Sequence, residues 1–211
     1  MQANNINYNK ITQQLIESLD HRPALLLHSC CAPCSSYCLE WLNKYFDITV
    51  FYYNPNIYPA EEYCKRLQEQ YSFAQKADFC RGVKVVDCGY KPEEFYDAVK
   101  GLEQLPEGGA RCEKCFRLRL RKTAEKAREL GAEYFTTTLS ISPMKDSRLL
   151  NQIGGELAEE YGIKYLYSDF KKNDGYRRST QISAEYGMYR QDYCGCVFSL
   201  NERKKRKPAE N

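Results

Sequence analysis

Ala24-Leu25-Leu26-Leu27-His28-Ser29-Cys30-Cys31-Ala32-Pro33-Cys34 is the stretch on which the reading of this 211-residue chain turns. Ala24 to His28 has the length and apolar character of a buried strand. The segment Ser35 to Tyr45 reads as helix, so the cysteines fall where a strand hands over to a helix, the customary functional edge of an α/β sheet. The same turn is where a nucleotide-binding protein of this class would keep a Gly-rich phosphate loop. Ser29-Cys30-Cys31-Ala32-Pro33 stands there instead, which disfavours chemistry by ATP.

Outward from this stretch, strands and helices alternate. Ile6 to Leu19 carries apolar residues at mostly helical spacing and is closed by Pro23. Ile48 to Tyr53 is a β-branched and aromatic strand, followed by a turn at Asn54-Pro55-Asn56. Helices are expected at Ala60 to Ala77, Pro92 to Val99, Cys112 to Leu130 and Asp146 to Tyr161, with Gly131 and Gly162 as stops. Further strands are expected at Val83 to Val86, Tyr134 to Leu139 and Lys164 to Tyr167. That order predicts an α/β fold with a parallel sheet covered by helices on both faces. Residues 1–202 are expected to form a single catalytic domain, and residues 203–211 a basic, flexible tail.

Composition narrows the class. Hydrophobic residues make up 43% and charged ones 28%, ordinary globular usage that excludes collagen, coiled coil and disordered chains. The longest apolar run, Ala24 to Leu27, is far below the roughly 18 residues of a membrane span. Met1 to Lys10 is polar and lacks the apolar stretch of a secretory signal, so a cytoplasmic protein without membrane attachment is expected. The net charge of +3 is too small to identify a polyanionic partner by itself.

Cysteine is the departure, with 11 residues. In an intracellular chain able to build its own core, clustered cysteines point to metal binding or redox chemistry rather than to disulfide staples. The first cluster is Cys30-Cys31 with Cys34, and Cys38 one helical turn on. The second, Arg111-Cys112-Glu113-Lys114-Cys115, is a C-x-x-C at a helix start, compatible with zinc, iron–sulfur ligation or a redox dithiol. Cys30, Cys31, Cys112 and Cys115 together make the four-thiolate inventory of a 4Fe-4S cluster, and equally that of structural zinc. The third, Cys194-Gly195-Cys196, suits two metal ligands or a strained, easily reduced disulfide fit for electron relay. Cys64, Cys80 and Cys88 stand singly and read as small buried hydrophobes.

Positive charge is concentrated locally. Between Arg111 and Arg128 eight basic residues face Glu113 and Glu125, a local balance of +6. Two further patches lie at Lys171 to Arg178 and Arg203 to Lys207. Such patches can track the phosphates of a nucleic acid, and some of the 18 tyrosines can stack on unpaired bases.

Leu27-His28-Ser29-Cys30-Cys31-Ala32-Pro33, Tyr53-Asn54-Pro55-Asn56-Ile57, Arg111-Cys112 with Cys115-Phe116-Arg117-Leu118, Thr138-Leu139 with Ser142-Pro143, and Arg190-Gln191 with Tyr193-Cys194-Gly195-Cys196 together resemble the epoxyqueuosine reductases of the QueH type. The resemblance implies a Rossmann-like sheet of the HUP or PP-loop kind, similar to that of ATP-using tRNA-thiolating enzymes but without their phosphate loop. It implies reduction of epoxyqueuosine to queuosine at the wobble position of tRNA by a cobalamin-independent oxidoreductase, with tRNA carrying epoxyqueuosine and an unidentified electron donor as partners. It also implies a 4Fe-4S cluster on Cys30, Cys31, Cys112 and Cys115, and a redox-active catalytic pair, Cys194 with Cys196. Cys34, where some relatives carry Asp, becomes the candidate ligand to an additional iron ion. A phenol such as Tyr193 could polarise the epoxide C–O bond, and Asp146 and Asp192 are candidate proton partners by placement. The competing readings are a zinc-stabilised RNA-binding module without catalysis, and a thiol oxidoreductase acting on proteins through Cys194 and Cys196 alone.

Overall fold

The computed structural model describes residues 6–206. In chain order the elements are α1 (Tyr8–Glu17), β1 (Ala24–His28), α2 (Ala32–Leu42), β2 (Asp47–Tyr52), α3 (Ala60–Lys76), β3 (Lys84–Asp87), α4 (Pro92–Ala98), α5 (Ala110–Glu129), β4 (Tyr134–Thr137), α6 (Ser147–Tyr161), β5 (Lys164–Tyr165), α7 (Gly175–Glu185) and α8 (Val197–Arg206). The five strands form one parallel sheet in the order β3-β2-β1-β4-β5. The expected α/β architecture is therefore observed. The chain leaves β1 toward β2 and β3, then crosses back to β4, so the topological switch lies beside the C-terminal end of β1.

The period-two pattern of the central strands builds two cores. Leu25 and Leu27 of β1, with Ile48 and Val50 of β2, pack with Leu39, Leu42 and Phe73 of α2 and α3. Leu26, Phe51 and Phe135 point the other way, against Phe116 and Leu120 of α5 and Leu150 and Leu157 of α6. Alternation of this kind is what a sheet covered on both faces requires. Gly154 lets α6 approach β5 closely, because a Cβ there would lie 2.2 Å from the Tyr165 ring.

Several boundaries differ from the sequence expectation, each for a local reason. The helix after the cysteines begins at Ala32, three residues early, since Pro33 favours a first helical turn. β4 stops at Thr137, whose hydroxyl accepts from the Leu139 N–H at 3.1 Å and starts a short 3-10 turn, Thr138–Ile141. Two further helices, α7 and α8, carry no apolar helical periodicity in the sequence. α8 runs through Arg206, so the first four residues of the expected basic tail are helical; residues 207–211, with Lys207, lie outside the described residues. Among the described residues no helix is long and apolar enough to cross a membrane.

Candidate active site

Ser29 leads from β1 into the cysteines, with its N–H donating to Phe51 O at 2.9 Å. Cys31 is the N-cap residue of α2, in extended conformation. Its neighbours Cys30 and Cys34 complete a group whose three sulfurs all lie within 4.8 Å of one another. Cys30 and Cys31 are separated by 3.8 Å between sulfurs. Thiol hydrogen bonds from Cys31 and Cys34 hold Cys30 well below the usual thiol range. Burial pushes Cys31 up to about 12, and the hydrogen bonds to Cys30 and Cys31 raise Cys34. The trio thus releases one proton readily and the others with difficulty.

Cys112 and Cys115 lie in the first turns of α5, and the Gly108 N–H donates to the Cys112 sulfur at 3.2 Å. Both thiols are raised, chiefly by burial, Cys115 to about 11. Cys196 packs against Cys115, Phe95 and Val99, and burial pushes it up to about 12. Gly195 between Cys194 and Cys196 adopts φ +123, and its carbonyl accepts from the Tyr58 N–H at 2.8 Å. Ser199 fastens the pair to α8, since its hydroxyl accepts from Cys194 N–H at 3.1 Å and its N–H donates to the Cys196 sulfur at 3.4 Å. All eleven cysteines are free thiols.

A cavity of about 480 Å³ opens at this edge of the sheet, lined by residues that include Cys30, Cys34, Lys145, Tyr176, Cys194 and Arg206. Lys145 is half-buried there, with Cys194, Cys30 and Cys34 the thiols that favour its charged form against burial. Arg119 of α5 is buried, and Cys115, Cys30 and Cys194 are the thiols that favour its charged form against burial. Among the described residues, neither cation forms an ion pair with a carboxylate. Sequence reasoning missed both, because nothing in a local pattern separates a site cation from a solvated one.

The Tyr53-Asn54-Pro55-Asn56-Ile57 motif finds its reason here. Asn54 donates to Ser29 O at 2.9 Å and accepts from Arg119 at 2.6 Å, while Asn56 approaches the Gly195 backbone. Gln191 donates to the Cys31 sulfur at 2.7 Å, a contact across 160 positions that no spacing rule could announce. Arg66 is buried with Glu62 at 2.6 Å and stands over the Tyr193 ring.

Other expectations are redirected. The Tyr193 hydroxyl donates to Tyr58 O at 2.7 Å, which commits its proton. Asp146 caps α6 through the Arg148 N–H, and Asp192 pairs with Arg203. His28 is buried between Thr137 and Arg119, and burial lowers it to about 3, so it is a satisfied neutral core histidine. Cys80 is buried as expected, but Cys64 is exposed. The basic stretch of α5 is largely spent inside the protein: Arg117 and Arg121 each lie 2.7 Å from a glutamate of α6, Glu156 and Glu160. Arg111 is buried, with Glu202 at 3.2 Å.

The donor chemistry fits an iron–sulfur or other soft-metal centre. Thiolates are the preferred ligands for both iron–sulfur clusters and zinc, and two cations without carboxylate partners stand ready to offset their charge. Of the expected ligand set, Cys30 and Cys31 fall in the three-sulfur group, with Cys34 as its third member. Cys112 packs against the core cluster holding Cys30 and Cys31, and Cys115 belongs to the one holding Cys196.

Comparison with known proteins gives one family. The family model described as "Epoxyqueuosine reductase QueH" matches residues 25–202. The chain is 47% identical over 199 residues to an epoxyqueuosine reductase QueH of Streptococcus pyogenes serotype M1, covering 92% of this chain and 78% of that protein. A Staphylococcus epidermidis protein of the same description is 43% identical over 206 residues, covering 94% and 87%. One from Thermotoga maritima is 40% identical over 188 residues, covering 86% and 93%.

Proposed function

The chain belongs to the epoxyqueuosine reductase QueH family of oxidoreductases, and from that premise we propose that it reduces epoxyqueuosine to queuosine at the wobble position of tRNA. Cys30, Cys31, Cys112 and Cys115 would hold a 4Fe-4S cluster, Cys194 with Cys196 would serve as a redox dithiol, and Cys34 would be available to an additional iron. The reaction belongs in the cytoplasm, with its tRNA substrate. The observation that carries this reading is the gathering of thiols from separate chain segments around one cavity at the switch point of the sheet.

Removing the epoxide oxygen as water takes two electrons and two protons. When bound, a 4Fe-4S cluster supplies electrons singly. A second store is therefore needed, and oxidation of the Cys194 and Cys196 thiols to a disulfide releases two electrons and two protons, closing the balance. The electron donor that restores the dithiol belongs to the partners still to be identified. Within the cavity the Lys145 ammonium faces Cys30, Cys34 and Cys194, where it would favour negative charge developing on the epoxide oxygen. Tyr176, exposed at the cavity wall, offers a face on which an unpaired base can stack.

The three-sulfur group of Cys30, Cys31 and Cys34 also suits a single tetrahedral zinc, which keeps the non-catalytic zinc module as the second reading. Anaerobic incubation with epoxyqueuosine-containing tRNA and a reductant, followed by mass spectrometry of the nucleosides, tests the first. Conversion to queuosine by a brown protein containing iron and sulfide supports it; a colourless protein with one zinc and no conversion supports the second.

A further inference from the structure

Arg119 lies four positions after Cys115 and seven after Cys112, so the three share one face of α5. Its side chain is only 1% exposed. Nη2 donates to Asn54 Oδ1 at 2.6 Å and Nε to His28 Nε2 at 3.3 Å, and both of those partners are neutral. The other deeply buried arginines behave differently, since Arg66 has Glu62 and Arg111 has Glu202. A guanidinium does not give up its proton, and burying one without a neighbouring anion is costly. Against burial, the thiols that favour its charged form are, largest first, Cys115, Cys30 and Cys194, and of these Cys30 is held well below the usual thiol range. Lys145 differs in being half-exposed and so able to share its charge with water.

We propose that Arg119 is the built-in counter-ion of the thiolate centre, a positioning residue whose fixed positive charge offsets Cys30 and Cys115 and raises the reduction potential of the group they hold. The proposal rests on the reading that these cysteines carry an iron–sulfur cluster. A fixed cation favours the more negative, reduced state of such a centre. Asn54 is the residue that keeps this charge available: it holds the guanidinium by a neutral amide, and a carboxylate in the same place would neutralise it.

The test uses Arg119→Gln, Arg119→Lys and Asn54→Asp in the full chain, reconstituted anaerobically with iron and sulfide. Iron content, melting temperature and the midpoint potential, from a dye-mediated titration followed by electron paramagnetic resonance, are read for each. Arg119→Gln and Asn54→Asp should both shift the midpoint to lower potential, while Arg119→Lys stays close to the parent protein. Asn54→Asp retains Arg119 and a bond to it, so its shift cannot come from a lost side chain, and it carries the test with Arg119→Lys should Arg119→Gln fail to fold. Unchanged potentials in Arg119→Gln and Asn54→Asp would overturn the proposal and leave Arg119 as a strut between α5 and the Asn54 turn. Should the parent protein bind zinc and no sulfide, the iron–sulfur reading fails separately. The counter-ion is then read from alkylation of Cys30 and Cys194 by iodoacetamide in metal-free protein: slower reaction in Arg119→Gln and Asn54→Asp but not in Arg119→Lys sustains it, and equal rates in all variants overturn it.

Discussion

Gln191 donates through Nε2 to the Cys31 sulfur at 2.7 Å, tying the segment that carries Cys194 and Cys196 to the start of α2. The same segment is anchored at its other end by Ser199. Gln191→Leu keeps roughly the volume and removes the N–H···S bond. A hydrogen bond to a neutral group contributes about 0.5–1.5 kcal/mol, so turnover should fall by about 2- to 13-fold while the fold persists. Hydrogen exchange read by mass spectrometry should quicken at residues 190–196. Unchanged exchange and unchanged turnover would show that Ser199 alone holds the segment.

Serine in place of Cys30, Cys31, Cys112 or Cys115 should lower bound iron and sulfide, because a hydroxyl is a poor ligand for a soft site. Replacing Cys194 or Cys196 should leave the cluster spectrum nearly intact and abolish turnover. Cys34→Ser is the informative addition, since Cys34 shares the three-sulfur group. If it empties the centre while Cys112→Ser does not, the ligands are the trio, and the four-thiolate set needs revision.

Much of this was legible in the sequence, for identifiable reasons. β1 announces itself because a central parallel strand must be apolar on both faces, and Asp146 and Gly162 mark α6 through cap and stop chemistry. α7 left no such trace. Its buried residues are Gly175, Ser179, Ile182 and Ser183, small groups chosen for close approach rather than apolar periodicity. α8 buries only Ser199 and so reads as a charged tail. The cysteines stand out by clustering, whereas Arg119 hides in a run of basic residues. Only the packing of α5 against the sheet distinguishes it from Arg117 and Arg121.

Gly195→Ala should be destabilising out of proportion to one methyl group. The φ of +123 at this position is hostile to an L side chain. A Cβ would also lie 3.2 Å from both Arg66 Nη1 and Ile57 Cγ1. Strain of this kind costs on the order of 1–3 kcal/mol, a fall of roughly 2–12 °C in melting temperature for a chain of this size. A melting curve measured under reducing conditions checks it. An unshifted curve would mean that the segment relaxes freely, and the geometry of the Cys194 and Cys196 pair is then not imposed by the fold.

Docking of tRNA needs basic side chains that are not already neutralised within the protein. Arg117, Arg119 and Arg121 belong to the +6 stretch of α5, but Arg119 is buried and the other two are ion-paired to α6. On α8, Lys204 and Lys205 are exposed, and among the described residues neither has a carboxylate partner. Arg206 next to them lines the cavity, and its carboxylate partner among the described residues is Glu202 at 3.8 Å. Charge that is not already neutralised is what displaces counterions from a phosphate backbone. Changing Lys204, Lys205 and Arg206 together to Gln should therefore weaken tRNA binding and flatten its salt dependence, by up to about 0.7–0.9 in log–log slope per lost contact. Arg117→Gln alone would also free Glu156 to repel RNA, so the fair control is the double variant Arg117→Gln/Glu156→Gln, which should bind with the parent slope. A reduced slope in that control with an unchanged slope in the α8 triple variant would move the docking face back to α5.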